Sequence, residues 1–169
     1  MVFLFLFFNL SFVLTLTSFL LIKYWLNNKK IILYKDPKNT YINKFVFFGV
    51  GSAVLLVIHS IFLGIKFEYE LYKLFRRVVI LFFIVFEIIA QTYLVICLYK
   101  IRYSISENIN EIFLKLKIFL VSLLIIVALI SIPIISVPGN KYLKHALEWD
   151  YFVGVISFYL LTFFMWKKN

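Results

Sequence analysis

VVILFFIVFEIIAQTYLVICLY, residues 78–99, contains one charged side chain, Glu87, and is fenced by Arg76, Arg77 and Lys100. Its apolar residues do not alternate with polar ones, so it does not read as the strand of a barrel, which needs one lipid-facing and one lumen-facing side. Its length matches the ~20 residues that a helix rising ~1.5 Å per residue needs to cross ~30 Å of hydrocarbon. Four further runs, 2–22, 45–65, 118–137 and 151–166, have the same character and similar fences. Together they predict an all-α, polytopic transmembrane helical bundle of about five spans, forming a single integral membrane domain over 1–169. In lipid each backbone amide must bond within its own segment, which favours helices for such runs.

Composition agrees, with 64% hydrophobic residues and a mean hydropathy of +1.00. The first run opens MVFLFLFFNL without a basic leader, and no small-x-small site closes it before Lys23. It therefore reads as a retained span rather than a cleaved signal. If five helices cross, the 23–44 and 100–117 loops and the tail put twelve Lys and Arg on one side, against six on the other. The positive-inside rule then puts the N-terminus outside and the C-terminus in the cytoplasm. The membrane would be the plasma membrane, or the inner membrane in a prokaryote. The net charge of +10 is spread over span ends rather than one domain face. Membrane lipids are thus the expected partners, with a second copy or another membrane protein as further ones, and no nucleic acid.

Ionisable and polar groups at membrane depth are the residues most worth explaining. Glu87 sits about 14 Å below the outer end of its span, where a carboxylate costs several kcal/mol unless it is paired, protonated or wetted. His59 and Asn9 fall in the same outer half of their spans, and Gln91 follows Glu87 by one helical turn. With the second and third helices as antiparallel neighbours, His59 and Glu87 are expected to meet, as a packing hydrogen bond or as a proton-sharing unit. Gly49, Gly51, Ser52 and Ala53 form a small-residue patch that suits close helix packing.

At the other candidate mouth, KYLKHALEWDYF (141–152) places Lys144 and His145 one turn before Glu148, with Trp149 and Asp150 at the start of the last span. Electrostatics at a helix start and an interfacial aromatic anchor account for this pattern, and a binding mouth is the sharper alternative. No metal shell is complete there or elsewhere in the sequence, and no cofactor is implied. The lone Cys97 reads as a small apolar filler. Asp36-Pro37-Lys38-Asn39 signals a turn, and Ser106 or Asn108 is expected to cap the fourth helix. Pro133 predicts a kink or an early end to that helix, followed by an exit turn at Pro138-Gly139. Residues 66–77 read as an interfacial turn with Phe67, Leu71, Leu74 and Phe75 toward lipid.

The segment HALEWDYFVGVISFYLLTFFMW (145–166), together with Gln91-Thr92-Tyr93-Leu94, resembles the DRAM-like membrane proteins, the damage-regulated autophagy modulator and its relatives. The resemblance implies a multi-pass protein without known catalytic chemistry, linked to lipid handling or membrane trafficking. It also implies that His145, Glu148 and Trp149 face away from the cytoplasm. Six spans and two cytoplasmic termini characterise that family, so the five-span reading departs from it in the N-terminal half.

No nucleophile and base fall at a catalytic spacing, so the leading expectation is a non-enzymatic protein with a structural, regulatory or lipid-binding role. One alternative is a carrier or channel subunit with Glu87 and His59 on a proton or solute path. The other is an intramembrane lipid-modifying enzyme using Glu87, His59, His145 and Glu148.

Overall fold

The computed structural model describes residues 2–63, 69–106, 109–136 and 141–166. Within them, the side chains of 2–11, 63, 70, 73, 132–136, 141, 144, 145, 148, 149 and 152 are outside the description. The described residues form five α-helices: α1 (Val2–Lys35), α2 (Tyr41–Leu63), α3 (Glu70–Ile101), α4 (Glu111–Ser136) and α5 (Lys141–Met165). A short 3-10 turn, Arg102–Ile105, follows α3. Among the described residues there is no strand, only an isolated bridge between Ile109 and Trp166. Three stretches are long and apolar enough to cross a membrane: Tyr41–Phe62, Leu74–Ile105 and Glu111–Ser131, with Val153–Met165 a shorter apolar helix.

The helices overrun the apolar runs that announce them. The first span was expected to stop at 22, but α1 continues to Lys35, so most of the anticipated 23–44 loop is helix. Its extension keeps a buried stripe, Ser18, Leu21, Trp25, Asn28 and Ile32, at spacings of three and four. That periodicity holds a helix against a neighbour whatever the charge of its other face. The turn falls on Pro37-Lys38 as expected, and Asn39 Oδ1 then accepts from Tyr41 N at 3.0 Å to cap α2. Asn110 caps α4, accepting from Ile112 N at 3.0 Å. Ser106 is not the cap: its hydroxyl donates to Tyr103 O, and Asn108 lies outside the described residues. α4 runs through Pro133 to Ser136 rather than ending early, while Pro138 and Gly139 lie outside the description. Residues from Glu70 onward belong to α3, where Leu71, Leu74 and Phe75 are exposed; Phe67 is not described.

The chain divides into two compact units within α3, Met1–Tyr93 and Leu94–Asn169. In the first unit α1 packs antiparallel to α2. Thr15 Oγ1 lies 3.1 Å from Ser60 Oγ, while ten residues later in α1 the Trp25 ring lies 6.2 Å from that of Phe45. The small-residue patch of α2 serves two neighbours. Gly49 lies under the Trp25 indole, and Gly51 faces the Phe86 ring, where an added Cβ would sit 2.9 Å from Cδ2. In the second unit α4 and α5 form an antiparallel seam, with Leu114, Lys117, Val121, Leu124 and Ser131 buried on one helix and Tyr151, Gly154, Phe158, Thr162 and Met165 on the other. Leu124 fills the space left by Gly154. Asn110 N donates to Met165 O at 2.9 Å, so the start of α4 is fastened to the end of α5.

Large apolar side chains away from these seams are left uncovered, including Phe47 (67% exposed), Phe119 (66%) and Phe163 (68%). A surface of that kind is unfavourable in water and natural against acyl chains.

Candidate functional site

Glu87 is fully buried on α3, together with Gln91 on the same helix and Ser52 on α2. Ser52 Oγ lies 2.7 Å from Glu87 Oε2 and also 2.8 Å from the Gly49 carbonyl one turn earlier in its own helix. The hydroxyl has one hydrogen, so it serves one of these acceptors at a time. Gln91 Nε2 donates to Glu87 Oε1 at 3.0 Å, while the amide oxygen of Gln91 is buried with no hydrogen-bond partner. Small residues position the constellation. Gly51 admits Phe86, whose ring also stands edge-on to Phe48 with centroids 5.1 Å apart, and this close approach sets Ser52 opposite Glu87.

The same register separates His59 from Glu87. No hydrogen bond joins them, and His59 Nδ1 is buried without a partner. Ser52 is the α2 residue that meets the carboxylate, about 10 Å along the helix from His59. The expectation of a His59–Glu87 pair is therefore replaced by a Ser52–Glu87–Gln91 cluster. The antiparallel contacts Gly51–Phe86 and Phe62–Phe75 (centroids 5.1 Å apart) place the level of Val78, not Glu87, opposite His59.

Asn9 lies on α1, and His145, Glu148 and Trp149 lie on α5, but their side chains are outside the described residues. Asp150, next along α5, is exposed. Among the described residues no three His, Cys, Asp or Glu side chains come together as a metal shell.

The charge count expects Lys117 at the end of the 100–117 loop. It is instead fully buried in α4, six residues past the helix start. Its ammonium group donates to Thr162 Oγ1 at 2.5 Å and sits 3.9 Å from the centroid of the Phe158 ring. Thr162 in turn donates to Phe158 O at 3.0 Å, which orients its oxygen lone pairs toward the lysine. The sequence signal for this burial is the spacing Leu114, Lys117, Val121, Leu124, which puts the lysine within the buried stripe of α4.

Compared with known proteins, the chain matches no family model, no curated protein and no solved structure.

Proposed function

We propose that the chain is an integral, multi-pass membrane protein without catalytic chemistry of its own, with a structural, regulatory or lipid-binding role in the bilayer. The observation that carries this reading is the sealed carboxylate: Glu87 is closed to solvent and bonded to Ser52 and Gln91, as a group does that fastens two helices together. A general acid or base needs a route to substrate, and a conducting carboxylate needs a route to water. All five helices cross, the N-terminus is outside and the C-terminus is cytoplasmic. Moving Lys117 out of the loop tally leaves eleven basic residues against six, so the count still favours that orientation. The C-terminal likeness to DRAM-like proteins points to the same class of function.

A carrier reading stands second because the unspent Gln91 oxygen adjoins Glu87 and is a free acceptor for a passing proton or solute. Proteoliposomes carrying a pH-sensitive dye separate the two. The fastening role expects identical proton leak for wild type and Glu87→Gln, whereas uptake abolished by that substitution establishes the carrier. For the orientation, cysteine probes are introduced on a Cys97→Ser background. A probe at Asn140 is expected to react from outside, and one at Lys30 is not; the opposite pattern inverts the topology.

A further inference from the structure

The hydrogen-bond network around Ser52 is one hydrogen short. Ser52 Oγ lies 2.8 Å from the Gly49 carbonyl oxygen and 2.7 Å from Glu87 Oε2, both hydrogen-bond lengths between oxygens. A hydroxyl supplies one hydrogen, and a carbonyl oxygen or an ionised carboxylate supplies none. If the Ser52 hydrogen points to Glu87, the serine lone pairs stand against those of the Gly49 carbonyl. If it points to Gly49, a carboxylate oxygen stands 2.7 Å from the hydroxyl oxygen with no hydrogen between them. Ser52, Glu87 and Gln91 are all fully buried, where a polar contact left unmade costs the desolvation of its groups.

One further hydrogen completes the network, and Glu87 is the group that can carry it. As a carboxylic acid it donates from Oε2 to Ser52 Oγ, and Ser52 donates onward to the Gly49 carbonyl. Its other oxygen, Oε1, accepts from Gln91 Nε2 at 3.0 Å. The amide donor thus marks Oε1 as the carbonyl oxygen of the acid and leaves Oε2 for the proton. Donation then runs one way, from Gln91 through Glu87 and Ser52 to Gly49, and each bond polarises the next. Of the described cationic groups on the packed helices, Lys44 lies over the Tyr41 and Tyr93 rings at 5.7 Å and 5.6 Å. Tyr93 is six residues beyond Glu87, about 9 Å along α3, and His59 is about 10 Å along α2 from Ser52. On α1, Lys23 precedes Trp25, the residue over Gly49, by two positions, and its side chain is exposed.

We propose that Glu87 is a proton-binding site, kept as the neutral carboxylic acid by Ser52 and Gln91. This deepens the fastening role assigned above and rests on it. The protonated group joins α2 to α3 as donor and acceptor at once, and it brings no charge to membrane depth.

Infrared spectra test the proton directly. Wild type, Glu87→Gln and Gln91→Leu are compared near neutral pH in a maltoside detergent, which has no ester carbonyl of its own. A protonated carboxylic acid has a C=O stretch separate from the bands of carboxylates and amides. Wild type is expected to show one such band, which is lost in Glu87→Gln. In Gln91→Leu the band should persist and move to higher frequency, because the acid carbonyl has lost its donor.

Absence of an acid band in wild type overturns the proposal, and so does a band that survives Glu87→Gln. A band present in choline chloride but lost in sodium chloride overturns the proton as the bound cation and makes the cluster an alkali-metal site, to which the unpartnered Gln91 oxygen adds a ligand. Should Glu87→Gln fail to fold, wild type isotopically labelled at the glutamate carboxyl carbon decides together with Gln91→Leu. A band displaced in both supports the site, and a band unmoved in either refutes it. An ionised Glu87 that still loses stability on replacement by Ala leaves the fastening role standing, whereas a Glu87→Ala variant as stable as wild type removes that role itself.

Discussion

Replacing Glu87 by Ala and by Gln separates a fastening carboxylate from one held for its charge. Alanine deletes the acceptor of Gln91 Nε2, whose amide oxygen is already without a partner, so the whole amide becomes a buried, unsatisfied group. That costs about 1–3 kcal/mol. The four deleted heavy atoms of a fully buried side chain leave a void between α2 and α3, adding about 1–2 kcal/mol of lost packing. The expected destabilisation is therefore about 2–4 kcal/mol, less than the sum in water because an unfolded helix in lipid also finds partners. Glutamine fits the same space. Its carbonyl accepts from Gln91 Nε2, and its NH2 donates to Ser52 Oγ, whose single hydrogen then goes wholly to the Gly49 carbonyl 2.8 Å away. Each of these side chains keeps at least one hydrogen bond, and the change should lie within about 1 kcal/mol of wild type. Unfolding by SDS in mixed micelles, followed through Trp25 beside Gly49, measures both variants. A Gln variant as damaged as the Ala variant refutes the argument, because hydrogen-bond geometry would then not be what the site provides. So does an Ala variant as stable as wild type.

Two glycines test the seams by the same assay. Alanine at Gly49 would drive a Cβ into the Trp25 indole and at Gly154 into Leu124, so each is expected to destabilise by about 1–3 kcal/mol despite the better helix propensity of Ala. Stabilisation at either site would show that the helices are not in close contact there. For the buried lysine, Thr162→Val removes the oxygen that accepts from Lys117 and should cost about 2–3 kcal/mol, while Lys117→Met, of similar volume, should be neutral or stabilising. The double variant should then be no worse than Lys117→Met alone. Additive losses would mean that the two side chains do not depend on one another.

Helical content and membrane-like character were legible because they depend on run length and on the absence of alternation, both local properties of the chain. Helix ends were less so. The apolar run stops at Leu21 and Ile22, but α1 ends at Lys35, because Trp25, Asn28 and Ile32 continue the buried stripe beneath an increasingly basic surface. Hydropathy averages all faces of a helix and loses such a stripe. The Lys117 error has the same origin: a lysine at the edge of an apolar run reads as a loop charge unless the heptad spacing around it is followed.

Glu87 illustrates the opposite case. A carboxylate at depth demands partners, so its importance could be read from the sequence, but the identity of the partner could not. That depends on the axial register of two helices, and register is set by close approach rather than by polarity. Choosing the nearest polar residue by depth selected His59. Packing of Phe86 against Gly51 fixes α3 where Ser52 meets Glu87, and the same placement leaves His59 about 10 Å further along α2, away from the carboxylate. A glycine legible in the sequence as part of a close-packing patch therefore also decides which polar residues are neighbours. Substituting Gly51 by a larger residue should disturb both the Phe86 packing and the Ser52–Glu87–Gln91 cluster, whereas Ser52→Ala should disturb only the cluster.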